Sequence, residues 1–204
     1  MHHAQTLWAD TIHRTAVVES SDFKDGDLII DVGTGTALTS IFAMNKTYPT
    51  IRIRVIGVDL SSKMLLRAKR NLTKFNMTNL IFNINCDARF LPLRGSIFDK
   101  IISLYGLGGI RNIKKAFRDL ILVAKDNAVF SLGEMTPPPK EKSVFRRKVH
   151  EILVEPFIRI IWQFQDLNLE DLLVQFNLEI LKKEYFGSRY LGSITLVVGR
   201  LKKR

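Results

Sequence analysis

The chain has 204 residues, 46% of them hydrophobic and 25% charged, a composition that excludes a disordered chain, a collagen-like fibre and a disulfide scaffold. A single cysteine, Cys86, cannot form an internal disulfide or a Cys-rich zinc site, and no apolar stretch reaches the length of a membrane span, so a cytoplasmic protein of one domain without a metal is expected. The net charge of +11 permits nucleic acid, an anionic membrane surface or an acidic substrate as partner, and equally a solvated basic surface. Leu28-Ile29-Ile30-Asp31-Val32 reads as a strand running into Gly33-Thr34-Gly35, and Leu38, Ile41 and Phe42 open a helix to about Lys46. Residues 51–58 alternate as a second strand, followed by Asp59. Ser61 or Ser62 caps a helix whose apolar face is Leu65, Ala68, Leu72 and Phe75 and whose other face is basic. Strands over 80–85 and 98–104, a helix over 113–124 and a strand over 128–132 continue the alternation. Pro137-Pro138-Pro139 interrupts it, and a long apolar-faced helix over 144–164 reads as an insertion at about 140–166. A helix over 169–176 and two antiparallel strands, 178–185 and 194–201, close the chain before the basic tail Lys202-Lys203-Arg204.

Alternating strands and helices specify an α/β fold: a Rossmann-like, doubly wound, seven-stranded sheet, mostly parallel with an antiparallel C-terminal strand and helices on both faces. In such a sheet the ligand lies beyond the carboxyl ends of the strands, where Asp31, Asp59 and Asp87 fall. Helix capping explains any one of these aspartates and explains all three together poorly. A dinucleotide fingerprint would need a small residue where Leu38 stands, and the absence of a lysine from the turn excludes a P-loop. Asp31 beside the turn would also repel a pyrophosphate. A nucleoside that lacks phosphate and carries an amino group meets none of these objections, and S-adenosylmethionine is such a ligand.

Asp31-Val32-Gly33-Thr34-Gly35-Thr36-Ala37 resembles motif I of the class I S-adenosylmethionine-dependent methyltransferases, with Ala37 in place of the third glycine. Val58-Asp59-Leu60-Ser61-Ser62-Lys63-Met64 is similar to their second motif and Cys86-Asp87-Ala88-Arg89-Phe90-Leu91-Pro92-Leu93 to their third. The resemblance covers roughly residues 28–135. It implies S-adenosylmethionine as cofactor, with Asp31, Gly33, Thr34, Gly35 and Thr36 at the methionine end, Asp59 at the ribose, Asp87 at the adenine amino group, Leu60 and Ala88 flanking the adenine, and Met64 and Ser103 completing the set.

Gly109-Ile110-Arg111-Asn112-Ile113, the run from Val129 to Pro137 and Ile12-His13-Arg14 look like segments of the ubiquinone/menaquinone biosynthesis C-methyltransferases. The sequence ahead of motif I lacks that group's Tyr-Asp lid segment, and the region after Pro139 is shorter than theirs. This narrower resemblance implies C- or O-methylation of a small aromatic or lipophilic acceptor such as a quinone precursor, with Arg111 at the substrate ring, where a cation stabilises a phenolate. Tyr105 can line the acceptor pocket and His13 is the candidate histidine base; ordinary packing and a surface helix histidine are their plain alternatives. The long apolar-faced helix serves either as core packing or as a lid touching a lipid tail or membrane surface. RNA or protein methylation, and a non-catalytic S-adenosylmethionine-binding subunit, are the rival readings.

Overall fold

The computed structural model describes residues 2–135, 148, 152, 167–187 and 193–202. The proline run, the helix expected over 144–164 and the insertion around it lie outside the described residues. The chain builds α1 (His2–Ser20), β1 (Leu28–Val32), α2 (Leu38–Thr47), β2 (Arg54–Asp59), α3 (Ser62–Lys74), β3 (Ile81–Asn85), β4 (Phe98–Leu104), α4 (Ile113–Val123), β5 (Ala124–Met135), α5 (Leu169–Gln175), β6 (Leu178–Gly187) and β7 (Ser193–Leu201).

The strands form a 7-stranded sheet in the order β3-β2-β1-β4-β5-β7-β6, parallel from β3 to β5, with β7 antiparallel to both neighbours. The order reverses between β1 and β4, and this switch point opens the crevice in which an α/β sheet binds its ligand. Because β1 is covered on both faces, its successive side chains serve different cores: Ile29 packs with α1, α2 and α3, and Ile30 with α4 and α5. On the second face Phe117 of α4 stacks between Phe130 of β5 and Phe176, with ring centroids 5.5 and 5.1 Å away.

Local chemistry sets the helix starts. The Ser61 hydroxyl accepts the Met64 N–H at 3.3 Å, and Asn168 Oδ1 accepts the N–H groups of Glu170 and Asp171 to open α5. α3 buries Ala68 and Leu72 and leaves Lys63, Arg67, Arg70 and Lys74 exposed, as its amphipathic pattern requires.

Three elements depart from expectation. β2 begins at Arg54, three residues later than expected, and includes Asp59; Arg52 is held instead by the loop before β1, its N–H donating to Asp25 Oδ1 and its carbonyl accepting the Gly26 N–H. β5 starts four residues before the expected strand and ends three after it, because exposed Lys125, Asp126 and Asn127 give its first turn no apolar alternation, while Gly133, Glu134 and Met135 gain pairing from β7. α1 precedes the first expected element. It lies against β4, β5 and β7, with Val17 and Val18 buried, and its Val17 carbonyl accepts the hydroxyls of Ser131 and Ser21 at 3.0 and 2.8 Å.

Candidate active site

A cavity of about 760 Å³ opens at the carboxyl ends of β1, β2 and β4. The turn after β1 forms its floor. The Gly33 and Thr34 N–H groups both donate to the Val58 carbonyl, at 2.9 and 3.1 Å, which folds the turn back over β2. Gly33 has φ +68°, and a Cβ there would stand 2.5 Å from the Gly106 Cα; a Cβ on Gly106 would meet the Val32 carbonyl oxygen at 2.3 Å. Two glycines therefore let the β1 and β4 loops cross at van der Waals contact. Ala37, in the place of the third glycine, is fully buried and left-handed at φ +60°, so the turn keeps its shape and the alanine carries the strain that a glycine would avoid.

Asp59 fastens two loops at once. Its Oδ2 accepts the Gly35 N–H and its Oδ1 the Ser61 N–H, both at 2.8 Å, and its side chain remains half-buried on the cavity wall. Asp87 carries a bidentate pair with Arg89, whose Nη2 lies 2.6 Å from Oδ2 and whose Nε lies 3.0 Å from Oδ1. Beside that guanidinium the Asp87 carboxyl is held below its ordinary pKa. Cys86 beside it also lines the cavity, and burial raises its thiol pKa.

Of the residues expected from sequence, Gly33, Thr34, Gly35, Thr36, Asp59, Leu60, Met64, Asp87, Ala88, Tyr105 and Arg111 line this one cavity. Asp31, Ser103 and His13 do not reach its surface. Asp31 is 1% exposed and accepts the hydroxyls of Thr34 at 2.8 Å and Ser40 at 2.5 Å, so it braces the turn and α2 from beneath. Burial foremost, with the negative Asp59 nearby, raises its pKa to about 6 against the pull of those hydroxyls. Ser103 is fully buried and donates to the Val32 carbonyl at 2.8 Å, tying β4 to β1. His13 is 4% exposed, which sets aside the surface-histidine alternative; its Nδ1 shares a hydrogen bond with the Tyr105 hydroxyl, and the rings meet edge to face at 6.0 Å.

Several cavity residues were not singled out in the sequence. Arg14 on α1 and Arg89 both line the wall. Arg14 stands next to His13 in the Ile12-His13-Arg14 segment, and Arg89 sits inside the third motif. Glu134 does not line the cavity but holds the loop after β4. It is 1% exposed at the end of β5, and its Oε1 accepts the Leu107 N–H at 2.6 Å, while Oε2 is buried with no hydrogen-bond partner among the described residues. Burial raises its pKa to about 7 in spite of the backbone N–H groups that favour the carboxylate. A carboxylate after the apolar run Val129–Leu132 was the available signal.

A family model for the methyltransferase domain matches residues 23–166, more than half of the chain. The chain belongs to the methyltransferase domain family, of the S-adenosylmethionine-dependent class. An uncharacterized protein of Methanocaldococcus jannaschii is 33% identical over 109 residues, 53% of this chain and 37% of its own length. The demethylmenaquinone methyltransferase of Desulfitobacterium hafniense is 27% identical over 139 residues, covering 68% of this chain and 54% of that protein. The chain thus spans about half or less of these curated relatives. The crystal structure of an S-adenosylmethionine-dependent methyltransferase from Aquifex aeolicus superposes with a TM-score of 0.67 at 15% identity, over 92% of this chain and 89% of that one. These methyltransferase neighbours share the Rossmann-like sheet described above.

The cavity suits S-adenosylmethionine on its own chemistry. Facing glycines remove the Cβ atoms that would fill the turn, Asp59 offers acceptor oxygens to ribose hydroxyls, and among the described residues no lysine lines the cavity. Leu60, Met64, Ala88 and Ile110 give the wall apolar surface for a flat base.

Proposed function

We propose that the chain transfers a methyl group from S-adenosylmethionine to a small aromatic or lipophilic acceptor of the quinone-precursor kind, at carbon or oxygen. The observation that carries this reading is the convergence of the three motif segments and Arg111 on one cavity. When bound, S-adenosylmethionine supplies an electrophilic methyl on its sulfonium. The chain's own tasks are then alignment and exclusion of water. In this reading Asp59 holds the ribose, Asp87 shares its oxygens between Arg89 and the adenine amino group, and Leu60 and Ala88 flank the base. The turn 33–36 receives the methionine end. Asp31 and Ser103 act one layer behind, by holding that turn and the β1–β4 contact.

Arg111 lines the cavity from the loop after β4, and in this reading its cation stabilises the acceptor phenolate. The demethylmenaquinone methyltransferases among the relatives support the quinone-precursor class. The test is transfer of labelled methyl to 1,4-naphthohydroquinone under anaerobic conditions. Arg111→Ala should leave cofactor affinity within about threefold and lower turnover by at least tenfold, since one stabilising donor to an oxyanion is worth about 10²–10³ in rate. Loss of cofactor binding in that variant would move Arg111 to the cofactor's half of the cavity.

The exposed cations Lys63, Arg67, Arg70 and Lys74 on α3 favour one second reading, methylation of RNA. Saturable methylation of RNA with an affinity that drops steeply as salt is added would establish it.

A further inference from the structure

We propose that Tyr105 and His13 form a proton relay that deprotonates a hydroxyl-bearing acceptor in the cavity, which makes the acceptor class one with an ionisable O–H, a phenol or an enol. The proposal rests on the methyltransferase reading above and adds to it the group that removes the proton. Its geometric basis is a chain of fixed contacts. Tyr105 follows β4 directly, lines the cavity, and sits left-handed at φ +64°, a conformation a bulky residue adopts only where its surroundings impose it. Two contacts impose it here. The Tyr105 N–H donates to the Gly133 carbonyl at 2.9 Å, and two residues further on the Leu107 N–H donates to Glu134 at 2.6 Å. Tyr105 is thus held at both sides by the end of β5.

His13 is brought to it by α1. Val17 lies one helical turn after His13, on the same face. Its carbonyl accepts the Ser131 hydroxyl of β5, and a Cβ on Gly133 would stand 3.0 Å from its Cγ2, so the missing side chain at Gly133 allows the helix to lie this close. The result is a buried imidazole whose Nδ1 meets the hydroxyl of a cavity-lining tyrosine from a residue 92 positions away. A buried His–Tyr pair can serve packing alone. Here one member faces the acceptor space and the other is shielded from water, which is the arrangement a relay requires.

The acceptor O–H bond breaks and its proton forms a new O–H bond on the Tyr105 phenolic oxygen, while the proton that oxygen carried passes to His13 Nδ1. The electron pair of the broken bond stays on the acceptor oxygen. Tyr105 ends neutral, the acceptor becomes a phenolate or enolate, and His13 becomes an imidazolium, which returns its proton through the Tyr105 hydroxyl to water in the cavity once the product has left. Among the described residues, the charged groups on the elements around the pair include Arg14 on α1, Arg111 on the loop after β4, Asp31 at the end of β1 and Glu134 at the end of β5. The two arginines line the cavity and favour an anionic acceptor there.

The experiment compares the wild type with Tyr105→Phe and His13→Gln in three readouts: calorimetric binding of S-adenosylhomocysteine, the ¹⁵N resonance of His13 Nδ1, and turnover of 1,4-naphthohydroquinone from pH 6 to 9. Glutamine keeps an acceptor for the tyrosine hydroxyl and cannot take up its proton. Both variants should bind S-adenosylhomocysteine within about threefold of wild type, and Tyr105→Phe should displace the Nδ1 resonance. Turnover should drop about 100-fold in Tyr105→Phe and at least tenfold in His13→Gln, in the range of general-base effects, and His13→Gln should lose the acid limb of the pH profile. An unmoved Nδ1 resonance, or wild-type turnover in either variant, overturns the relay while leaving the methyltransferase reading intact. A wild type that binds S-adenosylhomocysteine yet methylates no quinol overturns the relay together with the phenolic acceptor. Failure of the wild type to bind it at all removes the reading beneath both.

Discussion

At the scale of single residues, two buried carboxylates tie the site to stability. Burial raises Asp31 from 3.8 to about 6 and Glu134 from 4.5 to about 7. A carboxyl whose folded pKa is raised binds its proton more tightly in the native state, so its contribution is fully present below the unfolded pKa and is lost as pH rises through the folded one. The unliganded protein is therefore expected to lose stability between pH 4 and pH 7, on the order of 2–3 kcal/mol for each group. Asp22 and Asp87, held low by Lys24 and Arg89, act in the opposite sense only below pH 4 and do not mask the trend. Urea unfolding at pH 5 and pH 8 checks this: Asp31→Asn and Glu134→Gln should each flatten the difference, and an unchanged pH slope in both would show that neither carboxyl has a raised pKa in the folded protein. The sequence placed Asp31 at a strand end but not the direction of its side chain. Thr34 and Ser40, three and nine residues on, supply the hydroxyls that draw it beneath the turn, and only the fold brings them there.

At the scale of elements, the close crossing of the β1 and β4 loops is the tightest constraint on the site. Gly33→Ala would place a Cβ 2.5 Å from backbone, where no side-chain rotation can relieve it, and would also hold an alanine at φ +68°. The variant should be less stable by at least about 2 kcal/mol and should lose cofactor affinity along with it. A Gly33→Ala protein with wild-type melting temperature and binding would mean that the loops do not cross as described. The strand–turn–helix units from β1 to α4 were legible because apolar period, glycine turn and helix cap agree locally. α1 was not legible as an element, since its packing partners lie on β4, β5 and β7, far along the chain. The ends of β5 were hidden for a related reason: pairing with β7 sustains Gly133, Glu134 and Met135 in the strand.

At the scale of the whole molecule, a mostly parallel sheet with two cores sets one crevice at the switch point, and the family's motifs converge there. The fold class, the strand order's reversal and the cavity wall formed by the motif residues follow from motif spacing, because each motif lies at a strand end. The wall made by Arg14 of α1 and the loop after β4 does not, because these segments are remote in sequence. No described helix is long and apolar enough to cross a membrane.

The measurement that tests the central claim most directly is calorimetric titration of the wild type and Asp59→Ala with S-adenosylmethionine and S-adenosylhomocysteine, with NADH as control. Micromolar binding of the first two and none of NADH is expected. Asp59→Ala should weaken binding by about 1.5–3 kcal/mol, the cost of losing hydrogen bonds to a charged acceptor. Absence of binding by the wild type, or unchanged affinity in Asp59→Ala, would contradict it.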